Sequence, residues 1–170
     1  MKQARRNSYY LMVDKKAAEN RVFVARRPLA ASLFQKLQKE YGVSIQVANL
    51  AHSAILLRVH GHYHLVEYHE TSSASSMEVP AKDVSDTSFT AGGMKWEKQK
   101  KGHVIPDINP HDVMITMNQL MSGAKYEWSG HNCHVAQEAT RSFYGWTGSD
   151  PLSYAPIVAH LVMAFKEKQK

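Results

Sequence analysis

The stretch that most constrains this chain is HSAILLRVHGHYHLVEYH, residues 52–69, in which two runs of strand-forming residues flank a turn within residues 58–61. Such residues favour a pleated, half-buried surface, and an extended run must find partners for its backbone N–H and C=O groups. With so short a turn between the runs, antiparallel pairing of the two neighbours is the local solution. The chain is therefore expected to be built round a hairpin. Which face each of its side chains takes follows from the length of the turn.

The flanking sequence adds helices to this sheet. RVFVA at 21–25 reads as a short strand. Pro28 is expected to open a helix running to Gly42, because Leu29, Leu33, Phe34, Leu37 and Tyr41 recur at helical spacing and glycine accepts a left-handed stop. Val43, Ile45 and Val47 then alternate with polar residues. Residues 71–106, with TSSASS, AGG and the charged KWEKQKK, hold neither period and read as a loop excursion. Asn109 and Pro110 are expected to cap and open a second helix, with Val113, Met114, Met117, Leu120 and Met121 on one face and Gly123 closing it. That methionine stripe is read as core. Mixed local pairing and helices give an α+β fold, and 170 residues with 44% hydrophobic content suit a single domain spanning 1–170.

A lone cysteine, Cys133, excludes an intramolecular disulfide, so folding does not depend on an oxidising compartment. The basic start MKQARRNSYYLMVDKK has too short an apolar run for a signal peptide, and together these point to the cytoplasm. APIVAHLVMAF at 155–165 falls short of the roughly 20 residues a membrane span requires and reads as a packed terminal helix, so no transmembrane segment is expected. Lys+Arg 21 against Asp+Glu 15 gives a net charge of +6, which favours an anionic lipid surface or an acidic protein as partner.

Cys133 carries the chemical question. Asn132 has the side chain of a helix cap, and Val135, Ala136, Ala139 and Phe143 follow at helical spacing before Gly145. The thiol is then expected in the first helical turn, where unpaired N–H groups and the positive end of the helix dipole favour a thiolate. The competing reading is a buried thiol acting as a small hydrophobe.

A nucleophilic thiol needs a base and the base needs an orienting group, which directs attention to His52 and His64. A loop of odd length at 58–61 puts these two on one face near the same level of the hairpin. A strict two-residue turn at His60 and Gly61 puts them on opposite faces and makes Glu67 or His69 the better candidate to orient the base. His60, His62 and His64 also alternate as imidazoles suited to zinc or copper, but no cysteine or carboxylate spacing completes a ligand set, and neither metal nor cofactor is expected.

The spacing H52-SAILLRVHGHY-H64, followed much later by N132-C133, resembles the permuted branch of the NlpC-type, papain-like thiol enzymes, in particular the lecithin retinol acyltransferase-like proteins. The resemblance covers residues 43–69 and 124–146. Tyr126, Asn132, Cys133, Tyr144 and Gly145 stand where that family has a tyrosine, an Asn-Cys pair and a Tyr-Gly ending the helix. It implies a permuted papain-like fold with the cysteine helix packed on an antiparallel sheet. It further implies Cys133 as nucleophile, His52 as base, His64 as orienting group and Tyr126 as a wall or hydrogen-bond donor. Three departures bear on sub-family and substrate. His134-Val135-Ala136 replace the usual Glu-His-Phe, the helix runs two residues longer, and Arg58-Val59 replace a glycine or asparagine at the hairpin turn.

Such a site makes a thioester acyl-enzyme from a lipid ester, a peptide or isopeptide, a glutamine side chain or a cell-wall peptide, and then hydrolyses or transfers the acyl group. Two rivals belong to other classes. One is a nucleic-acid module using Lys95 to Lys101 with Trp96 as a stacking aromatic, although nucleic acid is not the expected partner. The other is an inactive papain-like scaffold for protein contact.

Overall fold

The structure, a computed structural model, describes residues 19–28, 51–127 and 132–146. Strand β1 (Arg21–Pro28) pairs antiparallel with β2 (Ala51–Val59), which pairs antiparallel with β3 (His62–His69). The expected hairpin is thus present, and its turn is only two residues long. His60 and Gly61 take φ of 51° and 82°, the left-handed pair that a tight hairpin turn needs to match strand twist. Val59 therefore faces His62, Leu57 faces His64 and Ala54 faces Glu67.

Residues 71–106 are not a loop excursion. They form β4 (Ser73–Val79), a single 3-10 turn at Ala81–Asp83, β5 (Ser88–Ala91), β6 (Met94–Lys98) and the short β7 (His103–Val104). The sheet runs β4-β3-β2-β1-β6-β5, with β7 also on β1. These strands escape composition because β4 (SASSMEV) is small and polar and β6 (MKWEK) turns only Trp96 and Lys98 inward. Tertiary pairing, not intrinsic preference, makes them extended. Pro28 is the last residue of β1. The expected helix to Gly42, the alternation at 43–47, the N-terminal segment and the helix at 155–165 lie outside the described residues.

The sheet curls, so its two faces build two cores. On one face Phe23, Ala54, Leu56, Leu65, Val79, Phe89 and Trp96 meet one another across the curl. The other face, with Val22, Ile55, Leu57, Val66 and Tyr68, is covered by helices α1 (Pro110–Leu120) and α2 (Cys133–Phe143) through Val113, Met117 and Ala136. This is an α+β architecture. No helix among the described residues is long and apolar enough to cross a membrane.

Asn109 caps α1 as expected, its Oδ1 accepting from His111 N–H at 2.9 Å. The face of α2 differs from expectation. Val135 and Phe143 are exposed, and the stripe that packs on the sheet is Cys133, Ala136, Gln137, Thr140 and Arg141. Three of these are polar, which hid the stripe from a hydrophobic-periodicity reading. Thr140 satisfies its buried hydroxyl by donating to the Ala136 carbonyl at 2.7 Å.

In urea denaturation, Met117→Ala is expected to cost about 2–5 kcal/mol, as a cavity in a packed core does. Phe143→Ala, at a side chain 63% exposed, is expected to stay within about 0.5 kcal/mol. The opposite ranking would contradict this assignment of the α2 face.

Candidate active site

Asn132 holds the start of α2 in an extended conformation (φ −131°), and its Oδ1 accepts from His134 N–H at 3.0 Å and Val135 N–H at 3.2 Å. The cap makes Cys133 the first helical residue, 2% exposed. Its sulfur accepts a hydrogen bond from the Ser53 backbone N–H at 3.5 Å. One residue on, His134 Nε2 donates to the Ala51 carbonyl at 2.9 Å, clipping the first turn of α2 to the start of β2. His134 is thereby turned to the backbone. His131 lies outside the described residues.

β2 places His52 beside the thiol. Its Nε2 bonds Glu67 Oε2 at 2.9 Å, and its second side-chain partner is Cys133. With Nε2 engaged by the carboxylate, Nδ1 is the ring nitrogen left to face sulfur. The imidazole is 6% exposed and packed by the edge of Trp96 at 5.7 Å and by the His69 ring at 6.4 Å. Glu67 has His69 Nε2 at 3.9 Å from its other oxygen, and His69 bonds Ser75 Oγ at 2.6 Å. Tyr126 completes the set, its hydroxyl close enough to Cys133 for the two to perturb each other's ionisation. Its ring stacks on Tyr68 at 5.9 Å and its N–H donates to Ser72 Oγ at 2.8 Å.

His64 does not join this cluster. The two-residue turn pairs it with Leu57, an odd number of residues from His52, so the two imidazoles project from opposite faces of the hairpin. The side chain that does orient His52 is Glu67. His64 instead borders an open cavity with His60, His62 and Asp107. There His60 pairs with Asp107 at 2.7 Å and His62 with Glu78 at 3.2 Å. No group of three or more metal-ligating side chains is arranged to hold a metal ion among the described residues.

Trp96 is 1% exposed and stacked on Phe89, so it is no platform for a nucleic-acid base. Trp96 and Arg27, whose guanidinium lies over the indole at 5.1 Å, are the site neighbours that the sequence reading missed. The pairing of β1 with β2 sets Arg27 opposite His52, and the pairing of β1 with β6 brings the strand that carries Trp96.

Burial alone would neutralise every member of the cluster, and mutual pairing reverses that. Burial pushes His52 down, but the hydrogen bonds its charged ring donates to Cys133 and Glu67 and the charge on Cys133 outweigh it and hold the imidazole at about 9. Burial raises Cys133, yet the hydrogen bond and charge of His52, the Ser53 N–H and the Tyr126 hydroxyl bring it below its ordinary value. Glu67, raised by burial, is brought below the usual carboxylate range chiefly by His52. Burial and the Cys133 charge raise Tyr126, which therefore stays a protonated donor. The mutual pairing favours the thiolate, the imidazolium and the carboxylate over their neutral forms.

No protein-family model, no curated protein and no solved structure matches this chain.

His52, raised from 6.5 to about 9, adds stability that is complete below 6.5 and lost as pH climbs through about 9. Cys133 and Glu67, both lowered, add stability that is lost as pH falls through their folded values. Alkylation of Cys133 is expected to be fast already below neutral pH. His52→Ala should move its profile to higher pH, while His134→Ala should leave the midpoint in place. A midpoint set by His134 would contradict the pairing described here.

Proposed function

We propose that this chain is a cysteine-dependent hydrolase or acyltransferase that cleaves an amide or ester through a thioester acyl-enzyme. One observation carries the reading, the buried imidazole of His52 held by Glu67 at 2.9 Å and set beside Cys133 so that thiol and imidazole each favour the other's charged form. A thiol that was only core would not need an imidazolium oriented by a second buried charge. On this reading the α+β domain is a permuted, NlpC-type papain-like fold of the lecithin retinol acyltransferase-like branch, with Glu67 in the orienting role in place of His64.

In the proposed reaction the Cys133 thiolate attacks the substrate carbonyl carbon and the carbonyl π electrons move to oxygen. In this reading the Cys133 backbone N–H and the Tyr126 hydroxyl serve as the donors to that oxygen. As the tetrahedral intermediate collapses, the bond to the amine or alcohol breaks and His52 gives its proton to the leaving group. Neutral His52 then takes a proton from water, or from an acceptor amine or alcohol, as it attacks the thioester. That step returns the thiolate and the imidazolium. Glu67 keeps the ring oriented and favours its charged form throughout, with Trp96 packed against the imidazole from the core inside the curl. Burial of Trp96 removes the stacking aromatic on which a nucleic-acid module would depend.

The reading is tested with a panel of acyl-type activity probes on the full chain, recorded as a mass shift at Cys133. A covalent adduct with at least one probe is expected. Cys133→Ala should abolish it and His52→Ala should reduce it to background, the two losses not being additive. Glu67→Gln should slow labelling roughly 10- to 100-fold, the usual order for a positioning partner of a general base, and His64→Ala should leave it unchanged. A folded chain whose thiol reacts no faster than free cysteine would point instead to a scaffold.

A further inference from the structure

At the far end of α2, about 12 Å along the axis from Cys133 at 1.5 Å per residue, a cavity of about 200 Å³ lies between the helix end, β1 and the segment joining β6 to β7. Val22, Val24 and Trp146 give it apolar walls, and the basic residues Lys101, His103 and Arg141 complete its lining. No acidic residue lines it among the described residues. Arg141 is 8% exposed, and a guanidinium cannot shed its proton, so a permanent positive charge is held out of bulk water at this cavity.

The segment carrying Lys101 and His103 is pinned in place. Gln99 Oε1 accepts from Val24 N–H at 3.0 Å, and Gln99 N–H donates to the Val24 carbonyl at 3.1 Å. Arg21 Nη1 donates to the Gly102 carbonyl at 2.8 Å. Gly102 itself packs so tightly that a Cβ there would lie 2.6 Å from the Phe23 ring. A backbone fixed in this way lowers the part of the ordering loss that an anion's binding would otherwise cost. The same basic run has another lysine turned inward, Lys98, whose Nζ donates to the Asp86 carbonyl at 2.6 Å over the Phe23 ring. Lys101 is the member of the run that borders the cavity.

A helix C-terminus repels anions with roughly half a charge. Here its last carbonyls are already covered, because Trp146 N–H donates to the Arg141 carbonyl at 2.8 Å and Gly145 N–H to that of Ser142 at 3.1 Å. A fork of parallel donors, a point-like ammonium and an imidazole suit a tetrahedral group with several charged oxygens better than a carboxylate. The apolar walls suit the carbon body such a group is attached to.

We propose that this cavity binds a phosphate group, free or as a phosphate monoester, through Arg141, Lys101 and His103. The site is separate from the cysteine cluster, and its test does not depend on catalysis. The full chain is titrated with inorganic phosphate and with glycerol 3-phosphate at constant ionic strength, and backbone amide shifts are followed by NMR. Saturating shifts are expected at Gln99, Gly102, His103 and Trp146. Lys101→Gln, an exposed position that leaves the fold alone, should weaken binding about tenfold, the worth of one charge-assisted hydrogen bond. Arg141→Lys, which keeps the charge but loses the fork, should weaken it comparably. Phosphatidylcholine vesicles with and without phosphatidic acid separate the two sources. Recruitment by phosphatidic acid that Lys101→Gln abolishes assigns a lipid headgroup, and saturable binding of the soluble compounds alone assigns a soluble phosphoester. Shifts that do not saturate, that map away from these residues, or that neither substitution weakens would overturn the proposal.

Discussion

The two-residue turn at His60 and Gly61 is the constraint on which the rest of the site depends. Because strand side chains alternate with period two, a hairpin one residue longer would exchange the faces of β3 relative to β2. The observed register puts Glu67 on the face of His52 and sends His64 to the other. The same register assigns Ile55, Leu57, Val66 and Tyr68 to the core under the helices, and Leu56 and Leu65 to the core inside the curl. A carboxylate rather than a second imidazole thus stands behind the base, which sets the charge of the whole cluster.

Three ionisable side chains with so little exposure are unfavourable one at a time, and they hold together because each offsets the desolvation of its neighbour. The chain of contacts runs from Glu67 through both edges of the His52 ring to Cys133, and ends on the Ser53 N–H and the Tyr126 hydroxyl. Two secondary devices keep that chain short. Asn132 fixes where α2 begins, and His134 ties its first turn to Ala51. Trp96, from a strand far along the sequence, packs against the imidazole from the core inside the curl.

Much of this was legible beforehand where local signals were strong. The hairpin, the Asn109 and Asn132 caps and the position of Cys133 in a first helical turn all rest on short-range chemistry that sequence displays directly. The strands within 71–106 were not legible, since β4 is small and polar and β6 carries more charge than strand formers. Only pairing with β3 and β1 makes them strands. The choice between His64 and Glu67 hung on turn length, and His60 at positive φ is a conformation that a non-glycine residue does not advertise. The buried face of α2 was missed for a related reason, because Gln137, Thr140 and Arg141 break the apolar period while packing inward. Trp96 and Arg27 reach the site solely through long-range pairing, so no local signal could have placed them there.

The account turns on whether His52 is charged because a thiolate faces it. The most direct measurement is the pH titration of the His52 ring by NMR, in the wild-type chain and in Cys133→Ala. An imidazolium persisting to about pH 9 in the wild type, and titrating at clearly lower pH once the thiolate is removed and burial acts without it, is the result this structure predicts. A His52 that titrates near its ordinary 6.5, unmoved by Cys133→Ala, would contradict it.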